Sequence, residues 1–336
     1  MASSSGWLII PATKVETEPN TEKGQFMSMR MKYLTRLVLI CLAVVASSGV
    51  ASAGSVKIGI MSGGVKGTYV QISQNLSDAL DSKQLRIITM LGKGSKQNVR
   101  DLIEMDGVDM AIVQSDVLQA VISSNELPGA STAIQYITKL YNEEIHIVTR
   151  KGMSSIKSLE GAAIGVGRKG SGTEMTARVL LKALGIDYTP INLSADEAIA
   201  NLKEEVIDAA VFVVGKPSSF LQTINADANL NFMSIRLPKN VEYPYVDTSL
   251  SHADYPNLIP KGGRVNTVAV GAVLAVFNWR EGSRRYQILA EFTKQFYQSI
   301  DQLKGGSYHR KWADIDWNFK LGGWTRFKPA QALVKR

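Results

Sequence analysis

The feature that most restricts the fold of this chain is a single order of elements that runs twice. Ser55 to Met61 is an apolar run too short for a helix; Gly63, Gly64 and Gly67 follow, and Thr68 to Leu80 then carries apolar residues at helical spacing. That is strand, glycine loop, helix. A second strand is expected at Leu85–Met90, then a helix at Lys96–Met105 that Asp106-Gly107 ends. Asp109 opens a buried strand that stops at Gln114, Ser115 and Asp116. The order returns at Ala162–Val166, passes through the loop Gly167–Gly172, and enters a helix at Thr173–Leu184 with Gly185 as its stop signal. Tyr188–Leu193 is the next strand. Ser194–Glu205 is a helix opened by Ser194 with Glu197 as a capping box, and Asp208 precedes the buried strand that runs to Val214. Strands alternating with helices require parallel sheet, so the class is α/β. Two such units predict two lobes facing each other across a cleft.

Two long apolar runs remain. Glu144–Arg150 lies between the units and Asn266–Phe277 follows the second, and both read as crossover strands. The chain then returns to the first lobe for helices near Arg285–Leu303. Residues 54–147 and 266–336 are therefore expected to form lobe 1, and 148–265 lobe 2. A lobe entered twice by the chain can hinge against its partner.

Composition removes several function classes. The only cysteine of the 336 residues is Cys41, which leaves no disulfide framework, paired-cysteine zinc site or iron-sulfur cluster. His146, His252 and His309 are scattered, so no metal is expected, and His146 within an apolar run reads as a packed residue. The 38 basic residues outnumber the 30 acidic ones, but they form no run and do not interleave with aromatics, which argues against nucleic acid. Diffuse positive charge instead suits solubility or a mild preference for anionic ligands. Gly165 to Gly170 spells Gly-x-Gly-x-x-Gly, yet Asp187 precedes the next strand instead of ending it, so no dinucleotide cofactor is expected. Gly92-Lys93-Gly94-Ser95 lacks the P-loop order. No Gly-x-Ser-x-Gly elbow and no recognisable Ser, His and Asp set occurs, so the chain is read as a binder and not an enzyme.

The N-terminal residues read as an address. From Met29 onward, Arg30, Lys32 and Arg36 precede an apolar run from Leu37 to Ala46 and a small-residue exit, Ala51-Ser52-Ala53. These are the parts of a secretory signal peptide, with cleavage expected after Ala53. The run is too short to span a bilayer, which takes about 20 apolar residues. Ile40 stands where a lipoprotein signal needs a small residue before the cysteine. Residues 1–26 form a polar upstream extension, and Met27, Met29 or Met31 is a better start than Met1. The expected compartment is the periplasm.

In an open parallel sheet, ligands bind beyond the carboxyl ends of the strands, where loops lead into helix N-termini. Both glycine loops occupy that place. Ser171, Gly172 and Thr173 combine close backbone approach, free N–H groups and hydroxyls, and form the best candidate cradle for a carboxylate or phosphate. Ser171 and Thr173 can instead serve only as caps of the following helix. From the first lobe, Gln114, Ser115 and Asp116 can reach a ligand and Tyr69 can wall it, while Asp116 can also serve only as a cap. Lys66, Arg168 and Lys169 fall on cleft-facing loops.

The stretches Ile58 to Tyr69, Gly94-Ser95 with Asn98, Asp109 to Asp116, Leu140 to Val148 and Gly170 to Glu174 together resemble the TAXI family of solute-binding proteins of TRAP transporters. The resemblance is ordered along almost the whole mature chain. It implies a two-lobed type II periplasmic-binding-protein fold, no enzymatic activity and no cofactor. It also implies delivery of a small organic acid or amino acid, glutamate-like or a dicarboxylate, to a TRAP-type membrane permease. Carried over by position, the pocket falls on Gly64, Thr68, Tyr69, Gln114, Ser115, Asp116, Ser171, Gly172 and Thr173. Lys66 and Lys216 depart from the family pattern, where smaller or uncharged residues are expected. Two other classes remain beside this one: an exported ligand-sensing protein for a membrane receptor, and a secreted enzyme of binding-protein fold.

Overall fold

A computed structural model describes residues 55–238 and 244–334 of the chain. The expected extension and signal peptide, residues 1–53, and Cys41 lie outside the described residues. The first unit contains β1 (Val56–Met61), α1 (Thr68–Leu80), β2 (Leu85–Met90), α2 (Ser95–Glu104) and β3 (Met110–Gln114). β1 lies between β2 and β3, parallel to both. All five residues of β3 are buried, as a central strand covered on both faces must be. The strand ends at Gln114, where the spacing places its end at Gln114, Ser115 and Asp116 together. Gln114 has extended backbone and serves as N-cap, so Ser115 and Asp116 open the next helix, α3 (Ser115–Ser124), and do not end the strand.

The second unit repeats the plan with β5 (Ala163–Gly165), α4 (Gly172–Ala183), β6 (Thr189–Ile191), α5 (Ala195–Lys203) and β7 (Ala209–Val214). β5 is parallel to β6 and β7 and lies between them. β6 is shorter than the expected Tyr188–Leu193, and it lies at the end of the sheet order. Pro190 at its centre has no N–H to donate, which suits an edge strand. The aspartates before β3 and β7 do matching work. Asp109 accepts from Gly59 N at 2.9 Å and pairs with Arg285; Asp208 accepts from Ala163 N at 2.9 Å and pairs with Arg150.

Between the units runs β4 (Ile134–Arg150), a strand of 17 residues where the apolar pattern suggests only its last seven. Its first part pairs with β10 (Arg264–Phe277) and its last part with β7. β10 in turn pairs antiparallel with β3, so the sheet is continuous in the order β2-β1-β3-β10-β4-β7-β5-β6. The lobe boundaries expected at 147/148 and 265/266 thus fall inside or beside strands that serve both units. Two strands escaped the sequence reading: β8 (Leu230–Met233) on β4 and β9 (Tyr245–Ser251) on β10. The described residues after β10 pack against the first unit. In α6 (Arg284–Gln298), Leu289, Phe292 and Phe296 share a core with Ile58, Ile72 and Met110, and Trp312 and Phe327 close it.

Candidate functional site

The carboxyl ends of β1, β3 and β7 and the loops that follow them enclose a cavity in two connected compartments. The inner one, about 140 Å³, is bounded by Thr68, Tyr69, Ser95, Gln114 and Glu143 on one side and by Ser171, Gly172 and Thr173 at the start of α4 on the other. The outer one, about 250 Å³, lies between Val65, Lys66 and Arg168 and the apolar side chains Leu193, Phe212 and Phe220. Gly64, Gly67, Lys93, Ser171, Thr173, Val213 and Val214 line both.

Glu143 sits at the deep end, on β4, and is almost fully buried. Tyr69 Oη donates to its Oε2 at 2.8 Å, and Tyr141 Oη donates to Oε1 at 3.4 Å. With the Tyr69 proton committed to Glu143, the Ser95 hydroxyl donates to Tyr69 Oη at 2.9 Å and itself accepts from Gln114 N at 3.0 Å. Burial raises the Glu143 carboxyl from 4.5 to about 8, against the opposing bond from Tyr69 and with the nearby Asp116 adding to the rise. Burial and Glu143 together hold the Tyr69 phenol well above its ordinary value, so it stays a neutral donor.

The two units come into close contact at Gly172. A Cβ there would lie 1.6 Å from Gln114 Oε1 and 2.8 Å from Ser95 Oγ, so no other residue fits this contact without displacing its neighbours. Gly215 N donates to Thr68 Oγ1 at 3.2 Å across the same gap. At the mouth, Lys66 Nζ pairs with Asp196 at 2.7 Å and lies 5.5 Å from the centre of the Phe220 ring. Ser171 does cap α4, since its Oγ accepts from Glu174 N at 3.1 Å, and it borders the cavity as well.

Gly64, Thr68, Tyr69, Gln114, Ser171, Gly172 and Thr173 are thus brought together around one space. Ser115 and Asp116 lie elsewhere. Ser115 lines a separate cavity of about 290 Å³ with Lys139 and Phe319. Asp116 is a buried tie between elements: its Oδ2 accepts from Thr176 Oγ1 at 2.7 Å and Tyr245 Oη at 2.9 Å, and its Oδ1 from Val117 N at 2.8 Å. Thr176 also accepts from Gln114 Nε2 at 3.2 Å, which links α4 to the end of β3. Asp116 and Gln114 thus meet through Thr176 behind the cavity wall, and of the two only Gln114 lines the cavity.

Lys216 points away from the cavity. Its Nζ donates to Ser249 O, and its backbone N donates to Glu144 Oε2 at 2.7 Å. Glu144 Oε1 forms a buried ion pair with Lys311 at 2.7 Å. His146 is packed, with Nδ1 3.0 Å from Glu144 O and Nε2 2.8 Å from Tyr255 Oη, and burial lowers it to about 3. The residues that sequence reasoning missed are Glu143, Ser95 and Phe220. Adjacent carboxylates at 143 and 144 inside a long apolar run were the available signal, because a strand buried there has to partner both. Among the described residues, no three His, Cys, Asp or Glu side chains group as a metal site, and no helix is long and apolar enough to cross a membrane.

The strand order β2-β1-β3-β10-β4, with β10 antiparallel and returned from beyond the second unit, is that of the two-lobed type II periplasmic-binding-protein fold. The profile of the NMT1-like family matches residues 60–317. Among solved structures, the chain is similar to the substrate-binding protein of an amino acid ABC transporter, at 12% identity over 74% of this chain and 97% of that one, TM-score 0.45. It is also similar to the amino acid ABC transporter substrate-binding protein AbpA of Streptococcus pneumoniae, bound to L-arginine, at 15% identity over 76% and 91%, TM-score 0.43. A third is the periplasmic sulfonate-binding protein SsuA of Methylobacillus flagellatus KT, at 12% identity over 75% and 70%, TM-score 0.43.

Proposed function

This chain belongs to the NMT1-like family, and from that premise we propose that it is a periplasmic solute-binding protein of the TAXI type. In this reading it captures a small organic acid or amino acid and delivers it to the permease of a TRAP transporter. The observation that carries this reading is the cavity closed from both sides, with polar groups of one unit facing the helix start of the other. Only a closed arrangement lets a solute touch Tyr69 and Gln114 together with Ser171 and Thr173. A solute that gains those contacts shifts the population toward closure. The closed surface is then the signal a permease reads.

A thermal-shift panel of amino acids and organic acids tests the binding role, since a solute bound only by the folded state raises the melting temperature. A panel without a single stabilising compound refutes it. Mass spectrometry of the protein from its native host tests export, with Gly54 expected as the first residue. Uptake into proteoliposomes holding a TRAP permease, dependent on this protein and abolished without it, tests the partnership.

A further inference from the structure

Charge and polarity are ordered along the cavity. The deep end holds a carboxyl, Glu143. The wall shared by the two compartments holds a cation, Lys93, together with the hydroxyls of Ser171 and Thr173 and the N-terminus of α4, a helix of 12 residues. Beyond them the outer compartment has Arg168 and Lys66 on one side and apolar side chains on the other. Phe212 and Phe220 stand with ring centres 5.9 Å apart, Leu193 and Val65 face the same space, and Lys66 above them is already paired with Asp196.

We propose that the cleft selects an α-amino acid with an apolar side chain: its ammonium group meets Glu143, its carboxylate meets Ser171, Thr173 and Lys93, and its side chain lies against Phe212 and Phe220. This rests on the reading of the chain as a solute-binding protein and narrows its substrate class. The order of groups matches the three substituents of one Cα: donor inward, anion at the shared wall, apolar body outward. A dicarboxylate suits the inner compartment less well, because one of its ends would face Glu143 in a space of about 140 Å³ whose lining carries one cation, Lys93. Burial holds Glu143 largely protonated in the empty site, so an ammonium displaces that proton to solvent and takes its place as partner.

Isothermal titration calorimetry with L-leucine, L-phenylalanine, L-alanine, 4-methylpentanoate, L-glutamate and succinate tests the assignment. L-leucine or L-phenylalanine is expected to bind tightest. 4-Methylpentanoate, which is leucine without its ammonium group, should bind roughly 10-fold to 100-fold more weakly, as expected for loss of a buried charge-assisted bond. Glu143→Gln should weaken the amino acids and leave 4-methylpentanoate within about threefold, on the same arithmetic. If that variant does not fold, Phe220→Ala serves, and should shrink the preference for L-phenylalanine over L-alanine by roughly tenfold through lost apolar contact. Tighter binding of L-glutamate or succinate, or equal binding of L-leucine and 4-methylpentanoate, overturns the assignment while the solute-binding role stands. Failure of every compound in this set and in the wider panel removes both.

Discussion

Glu143 allows one prediction to be worked through from the structure. Its side chain accepts from Tyr69 of α1 and Tyr141 of its own strand, and the charges of Asp116 and Glu144 add to the rise that burial causes. In the unfolded chain the carboxyl titrates near 4.5, and in the folded chain near 8. Between those values the native state holds a proton that the unfolded chain has released. The contribution to stability is therefore complete below about pH 4.5 and is lost as pH rises through 8. At about 1.36 kcal/mol per pH unit, the interval amounts to something on the order of 5 kcal/mol at its upper bound. Glu143→Gln keeps the shape and an acceptor for Tyr69 but cannot ionise. Urea unfolding at half-unit steps from pH 5 to pH 8.5, on wild type and variant without added solute, measures the difference. Asp116 and Glu144 are also raised by burial and slope in the same direction, but they remain in both proteins and cancel. The variant is expected to gain on the wild type by several kcal/mol across that range, through the same linkage. A constant gap between the two curves would refute the reasoning, because it would mean that Glu143 titrates alike in both states.

Other perturbations test neighbouring parts of the molecule. Lys311→Met removes one half of a buried pair 2.7 Å long and leaves Glu144 with the Lys216 N–H; a loss of about 3–5 kcal/mol is expected in thermal or urea unfolding. Adding Glu144→Leu should recover much of it, and a single variant as stable as wild type would contradict the burial of the pair. Gly172→Ala puts a methyl 1.6 Å from Gln114 Oε1 and displaces that side chain from Thr176. Solute affinity should fall by about 1–3 kcal/mol, roughly 5-fold to 150-fold, with a larger radius of gyration at saturating solute. Calorimetric affinity for L-leucine should rise from pH 6 to pH 8, because less work is needed to ionise a carboxyl that titrates near 8. A flat profile would separate Glu143 from the bound ammonium.

Alternation of short apolar runs with helical spacing, and glycines just after the strands, identified the two α/β units from sequence alone, as did the cap at Ser194 with Glu197. These features are local: each depends on residues within a turn or a strand of one another, so their pattern is written along the chain. The candidate site was legible for the same reason, insofar as Thr68, Tyr69, Gln114, Ser171, Gly172 and Thr173 stand at loop-to-helix junctions. Glu143 was not legible. It sits mid-strand, and only the pairing of β4 with β10 on one side and β7 on the other carries it to the floor of the cavity. Ser115 and Asp116 do not line the cavity with Gln114, because they belong to the first turn of α3 and not to the strand end. Strand pairing between segments more than a hundred residues apart, such as Tyr141 with Ala272, depends on partners that no local pattern names. The sequence thus determined which elements form and where their ligand-facing loops lie. Only the tertiary structure decided which side chains share a space, because that is set by the register of β4 and β10 between the two units.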